Sequence, residues 1–156
     1  LIYEHSARFG ISDEVVDELE RVDLDRAAVG RAGTDLTIVT YGSGLHRSLE
    51  AAEVLAAEGI SVEVIDLRTL RPLDSATFLE SVSRTHRALV VEEGWRTGGI
   101  GAEIAAQISE EVFWDLDAPV GRLATAEGPI PYAQHLEAAA LVQVADVVAA
   151  ARATIG

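Results

Sequence analysis

The chain has 156 residues, 49% of them hydrophobic, which suits one domain with its own packed core. Cysteine is absent and every basic residue is arginine, so thiol nucleophiles, disulfides, cysteine-held metals, a Schiff-base lysine and a P-loop lysine are excluded. The formal net charge of −14 repels nucleic acid and anionic lipid; it serves solubility or attracts a basic partner.

Leu1 to His5 lack the basic stretch that opens a signal peptide. With no disulfide framework, that predicts a cytoplasmic location. Methionine is missing even at position 1, so the sequence is expected to be a piece of a longer protein. No apolar run approaches the roughly 20 residues that cross a bilayer, and no membrane contact is expected. Ser12 to Asp25 is acidic, with apolar positions near helical spacing, and reads as a linker that carries a short helix. Arg26 to Arg31 reads as a short strand before a turn at Ala32–Asp35. Leu36 to Tyr41 is a β-branched run, a buried strand. Ser48 to Glu58 places Leu49, Ala52, Leu55 and Ala56 on one helical face, and Gly59 stops it. Ser61 to Asp66 is the next strand. Asp74 or Ser75 caps a helix through Ser83. Arg87 to Glu92 is a third such strand, Gly94 to Gly99 a loop, and Ile100 to Val112 a helix with Ile104 and Ile108 inward. Val120 to Ala124 is a fourth strand, Pro129 and Pro131 mark a rigid loop, and Leu141 to Ala153 is a closing apolar helix. Strands alternating with helices predict a mostly parallel sheet with helices on both faces. The segment near Arg26 adds an antiparallel edge strand.

Four stretches carry candidate chemistry. Tyr41-Gly42-Ser43-Gly44 lies where a strand feeds a helix, the place for phosphate on free N–H groups. Arg47 stands where the third glycine of G-x-G-x-x-G belongs, so the alternative is a tight turn. His46, in the first turn of that helix, faces the carboxyl end of the sheet where sites gather; it has no evident partner, and packing is its other reading. No histidine spacing suits a metal. Asp66 to Asp74 is a charged loop, either an anion or interface site built on guanidinium forks or an arginine–carboxylate pair with Asp74 as cap. Glu92-Glu93-Gly94-Trp95 followed by Gly98-Gly99-Ile100-Gly101 pairs two carboxylates with glycines that permit close backbone approach. The pair reads as acid/base chemistry or as one glutamate capping the next helix. Trp95, with Gly98 and Gly99, reads as an interface anchor. Trp114 to Pro119 sets two acids beside an aromatic and turns on Pro119, a loop that positions a surface.

Taken in order, LTIVTYG (36–42), HRSLEAAEVLAAEGISVEVIDLRTLRPLD (46–74), ALVVEEGW (88–95), GGIGAEI (98–104), LDAPVGRL (116–123) and PIPYAQHLE (129–137) resemble the C-terminal third of beta subunits of pyruvate and acetoin dehydrogenases. They resemble branched-chain 2-oxo acid dehydrogenases more distantly, within the transketolase C-terminal domain superfamily. The resemblance covers residues 26–154, and residues 1–25 resemble the segment leaving a pyrimidine-binding domain. It implies a three-layer α/β/α domain over 26–156 with a five-stranded mixed sheet. It implies an α2β2 assembly with an alpha subunit and a second beta subunit. Thiamine diphosphate and magnesium would then bind outside this fragment, which alone would be inactive. It also implies docking of the basic peripheral-subunit-binding domain of a dihydrolipoyl acyltransferase. Asp117 in the LDAP motif inherits the docking role, with Ile155 beside the chain's end as a second candidate. Pyruvate is the expected 2-oxo acid, ahead of acetoin and branched-chain substrates. The competing readings are a transketolase or deoxyxylulose-phosphate synthase domain, and a stand-alone nucleotide-binding module on Gly42 to Gly44.

Overall fold

The computed structural model describes residues 23–156. Most of the linker expected over 1–25 therefore lies outside the described residues; Leu24-Asp25 form a turn. From there the chain runs β1 (Ala28–Arg31), β2 (Leu36–Thr40), α1 (Gly44–Ala56), β3 (Val62–Asp66), α2 (Ser75–Thr85) and β4 (Ala88–Trp95). It continues through α3 (Ile100–Glu111), a 3-10 turn (Phe113–Asp115), β5 (Gly121–Thr125), α4 (Gln134–Ala140) and α5 (Val144–Ile155). The five strands lie in the order β1-β3-β2-β4-β5. β1 is antiparallel to β3 and all other pairs are parallel, which bears out the expected sheet and its one antiparallel edge.

Period-two alternation divides each central strand between two cores. Leu36 and Ile38 of β2, Val62 and Val64 of β3, and Leu89 and Val91 of β4 pack with Ala51, Leu55, Val147 and Ala151 of α1 and α5. Val39, Ile65 and Val90 face the other way, against Phe78, Val82, Ile104 and Ile108 of α2 and α3. Thr37 is fully buried on the second face. Its hydroxyl meets Ser81 Oγ at 2.6 Å and Thr85 Oγ1 at 2.7 Å, so this polar group is satisfied and α2 is held in one register.

Local signals set the helix ends. Gly59, at φ +83°, lets the Ile60 N–H return to the Leu55 carbonyl at 3.0 Å and closes α1. Asp74 caps α2, accepting from Thr77 N–H at 3.2 Å and Thr77 Oγ1 at 2.6 Å; it also accepts from Ala27 N–H at 3.0 Å, which ties down the approach to β1. Burial alone would raise the Asp74 carboxyl, but the Thr77 and Ala27 hydrogen bonds outweigh it and hold it below its ordinary value.

Several boundaries differ from expectation. α1 begins at Gly44 rather than Ser48, because Gly42 turns the chain at φ +61° and the helix starts at once. β4 runs on to Trp95 through residues assigned to a loop. α4 falls in the stretch after the prolines where no helix was expected, and none of its residues is buried, so it leaves no apolar periodicity to read. The closing helix starts at Val144, not Leu141, with a capping box between Gln143 and Asp146. By length and composition the 22 residues Gln134–Ile155 do reach membrane-spanning size, contrary to expectation. An extended break at Leu141 and Gln143 divides that stretch, and α5 buries Val147, Val148 and Ala151 in the first core.

Candidate functional site

The sheet order reverses between β2 and β4, and the carboxyl ends of those strands are where open α/β sheets place ligands. Here that edge is built inward. Glu92 is 1% exposed. One of its oxygens accepts from Gly101 N–H at 2.9 Å, in the first turn of α3, and the other from Arg122 Nη2 at 3.1 Å. The carboxylate sits where a Cβ on Gly99 or Gly101 would be, which explains two glycines of the run. Gly98 answers a different need, a backbone φ of +73°. Arg122 also donates to the Arg96 carbonyl at 2.6 Å, while Arg96 reaches back to the Arg122 carbonyl. Glu93 pairs with Arg47 at 3.5 Å, and Arg47 donates to Ser43 Oγ at 3.0 Å. Thr97 N–H and hydroxyl both bind Glu127, at 2.9 and 2.6 Å, and hold its carboxyl below the ordinary range. Burial pushes the Tyr41 phenol up, and the Glu92 and Glu93 carboxylates add to that.

This geometry decides between the readings of the sequence. One glutamate, Glu92, does cap α3. Tyr41-Gly42-Ser43-Gly44 is a tight turn closed by Gly44 N–H to the Tyr41 carbonyl at 3.2 Å. A Cβ on Gly44 would overlap the Thr40 hydroxyl, which donates to the Val91 carbonyl at 2.9 Å. His46 is half-buried in the first turn of α1, near the carboxyl edge as expected. Trp95 ends β4 in register with Thr125 and is 50% exposed. In the Asp66–Asp74 loop the cap is present. The pairing of an arginine there is not: Arg68 and Arg71 are exposed, with no ion pair among the described residues.

The opposite edge is open. Asp117 lies in the loop before β5; its N–H donates to the His86 carbonyl at 2.9 Å and its carboxylate pairs with Arg87 at 3.1 Å, with the side chain 54% exposed. It lines a cleft of about 660 Å³ with Phe113, Trp114, Leu116, Pro119 and Val120. A second hollow brings Ala118–Gly121 against Ala150, Ala153 and Thr154 of α5. The end of α5 thus lies beside the Asp117 loop, although Ile155 itself is half-buried against the first core. Sequence reading missed Phe113 and took Trp114 only as the start of a surface-positioning loop. Trp114 is 93% exposed, and its place beside Phe113 in WDLD was the available signal.

The family model for the transketolase C-terminal domain matches residues 25–147. The chain belongs to that family. It is 46% identical over 97% of its length to a protein of Dictyostelium discoideum named pyruvate dehydrogenase E1 component subunit beta, mitochondrial, covering 42% of that protein. It is 48% identical over 97% of its length to subunit beta-1 of the same mitochondrial component in Arabidopsis thaliana, covering 41%. The chain therefore spans less than half the length of the curated relatives it matches. A solved split-gene transketolase, described as an inactive beta4 tetramer, superposes with a TM-score of 0.76 at 31% identity, covering 92% of this chain and 46% of that one. The expected cytoplasmic location is overturned: these pyruvate dehydrogenase relatives are named as mitochondrial, and the absence of a signal peptide or disulfides does not separate those compartments.

Proposed function

We propose that this domain serves subunit assembly and acyltransferase docking in the beta subunit of a thiamine-diphosphate-dependent pyruvate dehydrogenase. The carrying observation is the identity of 46–48% to subunits of that name across nearly the whole chain. In this reading, the full enzyme pairs two such subunits with two alpha subunits and docks on a dihydrolipoyl acyltransferase. It decarboxylates pyruvate and passes the acyl group to a lipoyl arm.

The described residues do not fit the cofactor itself. No three of their His, Asp or Glu side chains converge on a metal site, and both oxygens of Glu92 are engaged inside the domain. No catalytic step is assigned to them. What the open edge offers is Asp117, a half-exposed carboxylate on a strongly acidic chain, which suits a basic docking domain. Exposed Trp95 is offered for contact with another subunit.

The test is calorimetric titration of the chain with a peripheral-subunit-binding domain from a pyruvate dehydrogenase acyltransferase, at two salt concentrations. Binding that weakens with salt is expected. A folded chain that does not bind contradicts the docking role.

A further inference from the structure

We infer that the cleft between Trp114 and Asp117 is an arginine receptor, in which the indole face and the carboxylate together hold one guanidinium of the docked basic partner. The inference rests on the docking reading and deepens it. Trp114 is 93% exposed, and Phe113 meets it edge-on with ring centroids 5.1 Å apart. That edge-to-face contact orients the indole within its exposed setting. Trp114 and Asp117 line the same cleft of about 660 Å³. Asp117 gives Oδ2 to Arg87 at 3.1 Å, and Oδ1 makes no hydrogen bond among the described residues. A carboxylate accepts on both oxygens, so one fork of a planar guanidinium has a place to bind. Between the two polar ends the wall is apolar, from Leu116, Pro119 and Val120, which suits the methylene stem of arginine. An ammonium has no plane to lay on the indole, so arginine fits better than lysine. The surroundings select for a cation. Glu110, Glu111, Asp115 and Asp117 are all exposed, and residues 110–117 include no basic residue.

The probe is a peripheral-subunit-binding domain from a pyruvate dehydrogenase acyltransferase, titrated against the 156-residue chain and its Trp114→Leu and Trp114→Phe variants. Trp114→Leu keeps apolar area and removes the π face; it is expected to raise Kd about tenfold to thirtyfold, as for a desolvated cation–π contact. Trp114→Phe should recover part of that loss. Combining Trp114→Leu with Asp117→Asn should cost less than the sum of the two alone, because both act on one cation. Thermal melts of the variants check the fold, and no change is expected at so exposed a position. Unchanged Kd in Trp114→Leu, equal loss in the Leu and Phe variants, or strictly additive losses would each overturn the receptor while leaving docking intact. Failure of the unaltered, folded chain to bind would overturn the docking reading and the receptor with it.

Discussion

Glu92 at the carboxyl edge and Asp117 at the amino edge each pair with one arginine at 3.1 Å, yet the first side chain is 1% exposed and the second 54%. Around Glu92 the sheet has removed water and supplied donors: an N–H from α3, a guanidinium from β5, and two glycines that leave room for the carboxylate. Around Asp117 the partner Arg87 is itself partly open, and the neighbouring aromatics face solvent. A carboxylate–arginine pair is thus enclosed at one edge and solvent-exposed at the other. Position at the carboxyl end of an α/β sheet does not by itself make a site.

The contrast predicts unequal costs for equal truncations. Arg122→Ala strands a buried carboxylate and should lower unfolding free energy by about 3–5 kcal/mol. Arg87→Ala breaks a solvated pair and should cost about 1 kcal/mol or less. Urea denaturation of both variants checks this, and similar losses would erase the distinction. Asp117→Arg reverses the pattern. It should leave stability within about 1 kcal/mol of the parent but weaken docking by about 2–5 kcal/mol, from a lost pair and a new repulsion. Calorimetry with the acyltransferase binding domain reads the second effect, and unchanged affinity would remove Asp117 from the surface.

Gly101→Ala should cost about 1–3 kcal/mol, because the added Cβ meets the pinned Glu92 carboxylate rather than open space. Gly128→Ala, where nothing lies within 4 Å, is the control. A further effect of that small size concerns Asp74, away from both edges. Its carboxyl is held below its ordinary value, so the stability it contributes is complete above the unfolded carboxyl pKa, near 3.8, and is lost as pH falls through the lower folded value. Asp74→Asn should remove that part of the acid limb and cost about 1 kcal/mol near neutrality. Melting temperatures followed from pH 7 to pH 2.5 show whether the two acid limbs differ.

Strand and helix alternation from Leu36 to Ile108 was legible because apolar periodicity there is strong and glycine or aspartate marks the ends. β4 reads short in sequence because Glu92-Glu93-Gly94 breaks the apolar run, although the backbone stays extended while Glu92 turns inward to its donors. α4 left no pattern, since a helix with no buried residue has no apolar face to repeat. At the candidate site, the glutamate cap on α3 could be read from the spacing of Glu92 and Gly101. Its dependence on Arg122, thirty residues on in β5, could not, because strand pairing brings those residues together. Asp117 came from the family motif alone. Trp114 reads in sequence only as part of a surface loop, because exposure, not residue type, is what distinguishes it.

Which edge meets the partner is most directly read by amide hydrogen exchange of the chain with and without the acyltransferase binding domain. Protection confined to residues 113–121 and the end of α5, with 92–101 unchanged, is the expected result. Protection concentrated at 41–47 and 93–99, with the Asp117 loop unaffected, would contradict it and return function to the carboxyl edge.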